Sequence, residues 1–338
     1  MKEVRVAMIG FGGIARAHAN AYKILAGEGA PVKLVAICDV DEKKFTENVV
    51  INVDTGESRI PAGCKTYTDV DKMLADVEFD MADICLPTYL HKDYAIKMMN
   101  AGKHVLSEKP MALDYESCLE MIEVSKKTGK RLMIGQCLRF NARYEYLKEC
   151  IDDGRYGKLI RLHMERLSVL PTWGFENWFC DVKRSGGAIL DMHIHDIDMA
   201  RYLLGEPESV NCWSWTGESE WQVVNSRLNY NGASVIADAS WDEETGWTFK
   251  NGFRARFEKA EVFVDGNQLK VLTSDGEALV PELSKTNHIA AEIEYIANLI
   301  LDPTAENKKN PPESAADSVR LIEKLRESAL ADSKAVKI

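Results

Sequence analysis

The chain has 338 residues, enough for two domains of ordinary size, and its composition is that of a globular protein. A formal net charge of −11 with no basic run speaks against nucleic acid and anionic membrane as partners. The eight cysteines are scattered with no C-x-x-C spacing, which points to a reducing, cytoplasmic compartment; Met1-Lys2-Glu3 runs straight into an apolar strand rather than a signal peptide, and no apolar run approaches membrane-spanning length.

Val4–Ile9 reads as a short apolar strand, followed by a glycine cluster and a helix over residues 14–26. Val32–Cys38 is the next strand and ends at Asp39. Residues 81–86 and 104–107 are two more, and 131–136 is the last of this series. Between them, 91–101 and 114–128 have helical spacing, with Gly102 and Gly129 as stops. Strands separated by helices imply a parallel sheet with right-handed crossovers. The expected first domain is therefore residues 1–134, a Rossmann dinucleotide-binding domain.

Gly10-Phe11-Gly12-Gly13-Ile14-Ala15 fits G-x-G-x-x-G/A. Gly10 permits the tight turn, Gly12 lets the backbone approach a pyrophosphate, and Ala15 allows close helix–strand packing. Phosphates at a helix N-terminus meet free N–H groups and the favourable end of the dipole. Asp39 follows 24 residues after Ala15, at the end of the second strand. Its carboxylate accepts both ribose hydroxyls of NAD and repels a 2′-phosphate, so NAD is expected over NADP. Asp41 and Glu42 add to that repulsion, while Lys43 and Lys44 act against it.

Beyond residue 135 the pattern changes. Residues 141–153 form a helix stopped by Gly154, and 158–170 a long alternating strand. Strands then succeed one another without helices. Residues 226–230, Asn231-Gly232 and 233–241 read as a hairpin with a type I′ turn. Asp265-Gly266 and Asp275-Gly276 mark two further turns, and helices near 289–301 and 314–330 close the chain. The second domain, residues 135–338, is expected to be α+β with a mainly antiparallel sheet.

Between these strands lies Ser185-Gly186-Gly187-Ala188-Ile189-Leu190-Asp191-Met192-His193-Ile194-His195-Asp196-Ile197-Asp198. Read as one helix, it places Asp191, His195 and Asp198 on one face, with Ile194, Ile197, Ala200, Leu203 and Leu204 as an apolar stripe. Asp191 and His195 then make a proton-transfer pair. The rival reading is zinc on Asp191, His193, His195 and Asp196. Helical geometry turns His193 roughly 160° from His195 and splits that set, so no metal is expected.

The stretch Ala101-Gly102-Lys103-His104-Val105 leading into Glu108-Lys109-Pro110 resembles the hallmark of the Gfo/Idh/MocA oxidoreductases, the glucose–fructose oxidoreductase and inositol dehydrogenase relatives. Pro87-Thr88-Tyr89-Leu90-His91 resembles that family's Thr-Pro-Asn-x-x-His segment, and Arg139-Phe140 its Arg-Phe after the sixth strand. Gly186-Gly187 through Asp198 is similar to its G-G-x-x-x-D-x-G-x-H-x-x-D helix. The resemblance spans the chain. It implies Lys109, Asp191 and His195 as catalytic residues. Glu108 and Lys109 would flank the nicotinamide ribose, with Pro87, Thr88 and His91 along the same edge. Phe11, Gly13 and Ile14 would join Gly10, Gly12 and Asp39 around the dinucleotide. It also implies an open-faced sheet that binds substrate and builds a homodimer or homotetramer. Two departures stand out. Leu86 and Thr88 replace the usual Thr and Asn. His193 replaces a usual Gly, so either the helix begins a turn later or a second imidazole reaches the pocket.

The chemistry follows from the side chains themselves. An alcohol hydroxyl must lose its proton as hydride leaves its carbon. His195, with an ordinary pKa near 6.5, is a suitable base at neutral pH. Asp191 is placed to orient the imidazole or to stabilise its protonated form, and Lys109 stabilises the developing alkoxide. Arg139, Trp173, Trp178 and Lys183 are the substrate-side candidates; with Asp181 and Arg184, aromatic faces interleave with charged groups, which suits a sugar or polyol. The alternative for the tryptophans is a loop anchored on its own domain. The expected activity is NAD-dependent oxidation of a sugar or cyclitol secondary alcohol. Oxidation–elimination–reduction of a glycoside, and a cofactor-bound regulator without catalysis, are the alternatives.

Overall fold

The computed structural model describes residues 3–46 and 60–338, so the Met1-Lys2 start lies outside the described residues. The chain forms two compact units. One comprises Met1–Cys137, Trp173–Trp178 and Thr286–Ala316; the other comprises Leu138–Thr172, Phe179–Lys285 and Asp317–Ile338. Two segments expected in the second domain, 173–178 and 286–316, thus belong to the first unit.

In the first unit β1 (Val4–Ile9), α1 (Gly13–Glu28), β2 (Val32–Cys38), β3 (Lys65–Tyr67), α2 (Val70–Asp76), β4 (Met81–Ile84), α3 (His91–Asn100), β5 (His104–Glu108), α4 (Tyr115–Thr128) and β6 (Leu132–Gly135) alternate along the chain. The six strands are parallel in the order β3-β2-β1-β4-β5-β6. The order reverses between β1 and β4, the position where such sheets open a crevice at their C-terminal ends. Val4, Val6, Ala7, Met8 and Ile9 are all buried, as a strand covered on both faces requires. In α1 the buried residues Ala15, Ala19 and Tyr22 belong to the same core as β1. The short β3 and α2 carry too little apolar pattern to be legible beforehand.

In the second unit α5 (Ala142–Asp153), β7 (Leu159–Leu167), α6 (Val182–Ser185), α7 (Ala188–Asp191) and α8 (Ile194–Leu204) precede a run of strands. These are β8 (Ser209–Trp215), β9 (Val223–Tyr230), β10 (Ala233–Ser240), β11 (Lys250–Phe257), β12 (Ala260–Asp265), β13 (Gln268–Thr273) and β14 (Ala278–Leu279). The chain then runs through α9 (His288–Leu301), which belongs to the first unit, and on to α10 (Pro312–Leu330) and β15 (Val336–Lys337). The sheet runs β14-β13-β12-β11-β7-β10-β9-β8-β15; β7 and β10 pair in parallel, and the other pairs are antiparallel. The β9–β10 hairpin closes through Asn231-Gly232 as expected, with Tyr230 opposite Ala233. Its turn is not type I′, because Gly232 alone takes a positive φ (93°) and that turn needs two.

Helix α9 repeats apolar residues at helical spacing, and Ile289, Ala290, Ile293, Ile296 and Ala297 join the core of the first unit. Its sequence gives no hint of this, since the stripe says that a helix is covered but not by what.

Of the large apolar residues in and beside the strands of the large sheet, Val235, Trp241, Phe253 and Phe257 are buried, while Trp213 and Trp215 stay about half exposed (51% and 47%) on one face. Around those two the face is charged. His163 meets Asp238 at 2.7 Å, Lys250 meets Glu165 at 2.9 Å, and Arg254 meets Glu261 at 2.7 Å. Alternation in the strands sent the apolar members to the covered side.

Candidate active site

The C-terminal ends of β1, β2, β4 and β5 gather the first-unit residues expected to hold a dinucleotide. Gly10 follows β1 at φ 91°, and a Cβ there would lie 2.6 Å from the Cys85 carbonyl oxygen, so only glycine fits where β1 and β4 diverge. Asp39 follows β2. Its Oδ2 accepts the Phe11 N–H at 2.7 Å and its Oδ1 the Asp41 N–H at 2.9 Å. The carboxylate therefore ties the glycine loop to β2 and retains lone pairs on both oxygens. Phe11 is buried, and the Arg16 guanidinium lies 4.7 Å from its ring centre while donating to the Lys44 carbonyl. Arg16 was not singled out from the sequence.

These residues fit a dinucleotide. Gly12 is the N-cap of α1 and offers no side-chain cap, leaving the first-turn N–H groups open to an anion. A Cβ at Gly12 would meet no atom within 4 Å, so the cradle beside the helix start is open space. The Thr88 hydroxyl, after β4, is buried without a hydrogen-bond partner among the described residues. Pro87 precedes it as the N-cap of a single 3-10 turn, Thr88–Leu90. His91 is different. It is 1% exposed and places Nδ1 2.7 Å from the Pro110 carbonyl and Nε2 2.8 Å from the Leu86 carbonyl. It ties two strand-end loops together instead of facing a ligand, and burial pushes its pKa down.

Glu108 ends β5 and is also largely enclosed. Its Oε1 lies 3.0 Å from Nε2 of His18, and its Oε2 accepts the backbone N–H of Lys109 at 3.1 Å. Nδ1 of His18 lies 2.9 Å from Oδ2 of Asp83, which also accepts the Tyr22 hydroxyl at 2.9 Å. The charge of Glu108 is thus spent on protein groups before any ribose arrives. The sequence carried a signal for this cluster: His18 is an ionisable residue on the buried face of α1, four before Tyr22.

In the second unit the catalytic candidates sit where the helix breaks. Helix α7 ends at Asp191 and α8 starts at Ile194. The His193 N–H reaches back five residues to the Ala188 carbonyl at 2.9 Å, and the next turn tightens to His195 N–H on Met192. The expectation of one uninterrupted helix through 191–198 is corrected: a π-type turn separates Asp191 from His195, a distortion frequent at functional sites. The reason is His193, fully buried with Nε2 2.7 Å from the Ser226 hydroxyl on β9. Of the two readings left open for this residue, the helix begins a turn later. Burial pushes the His193 pKa down to about 4, which makes it a poor base at neutral pH. Asp191 is buried and His195 half-buried. The apolar stripe of Ile194, Ile197, Ala200 and Leu203 is buried as expected.

The other members of the zinc reading are engaged elsewhere. Asp196 is buried against Arg166 through two contacts of 3.2 Å, with burial raising its pKa. Asp198 does not share a face role with His195: it accepts Arg139 at 2.8 and 2.6 Å and the Ser318 hydroxyl at 2.8 Å. Arg139 is correspondingly corrected as a substrate candidate. It is 1% exposed, its fork filled by Asp198. Lys183 is exposed on α6, whose N-cap is the Asp181 side chain. Trp178 is buried and Trp173 half-buried, and both belong to the first unit, whereas Lys183 belongs to the second. Among the described residues no helix is long and apolar enough to cross a membrane.

Residues 4–136 match the family model of the GFO/IDH/MocA oxidoreductase family, NAD-binding Rossmann fold, and residues 144–276 match the GFO/IDH/MocA C-terminal domain. The chain is 32% identical over 235 residues to inositol 2-dehydrogenase of Rhizobium meliloti, covering 69% of this chain and 64% of the relative. It is 33% identical over 205 residues to myo-inositol 2-dehydrogenase of Thermotoga maritima, covering 60% and 55%. In each case the match spans less than two thirds of the relative's length. The crystal structure of aldose-aldose oxidoreductase from Caulobacter crescentus complexed with glycerol superposes with a TM-score of 0.83 at 23% identity, covering all of both chains.

Proposed function

The chain belongs to the Gfo/Idh/MocA oxidoreductase family, and from that premise we propose that it is an NAD-dependent dehydrogenase of sugar or cyclitol secondary alcohols. The observation that carries the reading is the strand-end arrangement of the first unit, where Asp39 holds the glycine loop and the uncapped start of α1 faces an open cradle. NAD, when bound, supplies the hydride acceptor. Lys109, Asp191 and His195 are the proposed catalytic residues. His195 takes the hydroxyl proton on its imidazole, Asp191 orients that ring, and Lys109 stabilises the oxygen as it becomes an alkoxide. Gly10, Gly12, Gly13, Ile14, Phe11, Asp39, Pro87 and Thr88 form the proposed dinucleotide cradle, with His91 and Glu108 holding its loops in place. The two inositol dehydrogenases among the relatives make a cyclitol one substrate class to include. A screen for NADH formation across cyclitols, aldoses, uronates and glycosides tests the reading. NADH from at least one class is expected, and no turnover of any class overturns it. Product without net NADH shifts the reading to transient oxidation.

Replacing Asp39 with serine weakens NAD binding by about 10–10²-fold, because charge-assisted hydrogen bonds are worth about 1.5–3 kcal/mol. It also narrows the gap to NADP by removing the charge that repels a 2′-phosphate. Isothermal titration checks both, and a preference of the unaltered protein for NADP contradicts the assignment.

The protein is further proposed to be a cytoplasmic homodimer or homotetramer. All eight cysteines are free, which suits a reducing compartment. The half-exposed pair Trp213 and Trp215, in a charged sheet face, suits a contact with polar surroundings. Light scattering is expected to give twice or four times the 37.9 kDa chain mass; a monomer at micromolar concentration contradicts this.

A further inference from the structure

We infer that His18 is a positioning residue for the reaction: wedged between Asp83 and Glu108, it fixes the Glu108 carboxylate against the Lys109 N–H and so sets where the Lys109 side chain begins. The inference rests on the proposed role of Lys109. Nothing in the glycine fingerprint or the strand-end motif requires a histidine at this place.

The geometry is specific. The imidazole sits between two carboxylates, 2.9 Å from Asp83 and 3.0 Å from Glu108. Both partners are acceptors, so both ring nitrogens carry a proton and the ring is an imidazolium. His18 and Asp83 are fully buried and the Glu108 side chain is 8% exposed. The Tyr22 hydroxyl, 2.9 Å from Asp83, and the Cys85 thiol, 3.6 Å from it, also face this cluster, and Lys109 and His91 act on Glu108. Burial is the largest single influence and opposes the imidazolium, but the charge and hydrogen bond of Asp83 together with those of Cys85 outweigh it, so the His18 pKa is well above its ordinary value. A Cβ added at Gly135 would also lie 3.0 Å from Oε1. The carboxylate is thus gripped by His18, by the Lys109 amide and by the wall at Gly135.

A purely stabilising role explains this cluster poorly. Buried ionic groups are often no better for stability than apolar residues of the same volume. Three ionisable groups joining α1, β4 and β5 directly beside a proposed catalytic lysine are better explained by placement. The donor atoms of His18, Asp83 and Cys85 all lie within 4.8 Å of one another, a spacing that a metal ion would also produce. The ring itself supplies the positive charge there, and burial pushes the Cys85 thiol up to about 12, which keeps it from being a thiolate ligand.

Displacing a catalytic group by about 1 Å costs about 10²-fold in rate. In His18→Ala the two carboxylates repel across a void. Turnover is expected to fall by about 10–10²-fold, with NAD affinity and sugar KM within about threefold of the unaltered enzyme. The single variant His18→Gln is expected to fall similarly. The double variant His18→Gln/Asp83→Asn restores the net charge of the triad and an N–H for Glu108, and recovers most of the loss. The Lys109 amide resonance is expected to move in His18→Ala and His18→Gln and to return toward its original position in the double variant. This readout decides the inference even if the unaltered enzyme forms no NADH with any polyol, a result that overturns the functional reading alone. If His18→Ala does not fold, the comparison of His18→Gln with the double variant decides. Three results overturn the inference. They are turnover within threefold in the single variants with only Tm lowered, a Lys109 amide that does not move, and a stoichiometric metal in the purified enzyme.

Discussion

His195→Ala lowers turnover by about 10²–10⁴-fold while NAD binding is retained, the range that general acid–base assistance supplies. Two observations sharpen this expectation. The half-buried His195 stands in the first turn of α8, in the second unit, and the residues proposed for the dinucleotide cradle all belong to the first. The nearest substitute in sequence, His193, is unavailable as a base: it is fully buried, bonded to Ser226, and its pKa is pushed down to about 4. His193 therefore cannot take over when His195 is lost. Lys109→Ala is expected to fall in the same range, because the charge proposed to stabilise the forming alkoxide is lost. The two variants differ in pH behaviour. The Lys109 variant keeps the imidazole limb of the kcat/KM profile, and the His195 variant loses it. Steady-state rates with NADH detection, together with NAD titration, check both. Near-normal turnover of His195→Ala sinks its role as proton acceptor.

The dinucleotide half of the site was legible because its signals are local. A glycine loop between an apolar strand and an alanine-rich helix specifies its own geometry within a dozen residues, and Asp39 sits at a fixed distance from it. The parallel order of the sheet followed from alternation of strand and helix. What failed was long-range pairing. The 191–198 segment read as one helix, because periodicity cannot register that His193 would be drawn to Ser226, 33 residues later in sequence, and shift the backbone to a five-residue hydrogen bond. Which residues of the large sheet face its covered side was not legible. Alternation fixes two faces and does not say which one the helices cover. His18 was visible as a polar residue on an apolar helix face, yet its meaning required Asp83 and Glu108, 65 and 90 residues away. The segment 286–316 shows the same limit at the scale of units: a helix announces a buried stripe, and the partner is decided by tertiary packing.

Arg139 separates substrate binding from architecture most sharply. Its Nε and Nη2 meet both oxygens of Asp198, with side-chain exposures of 1% and 2%, and the Tyr202 ring lies 5.1 Å from the guanidinium. Asp198 in turn accepts the Ser318 hydroxyl, which accepts Arg201 at 2.7 Å. This network joins α8 to α10 within the second unit. Arg139→Ala strands the Asp198 carboxylate in the interior, and removing one partner of such a pair costs about 3–5 kcal/mol. The expected result is a denaturation midpoint shifted to much lower urea with little change in slope. The double variant Arg139→Met/Asp198→Leu removes both charges, fills the same space with apolar atoms, and is expected to recover most of the stability. A substrate-binding Arg139 behaves in the opposite way. The single variant then keeps its midpoint and raises the sugar KM, and the double variant offers no recovery.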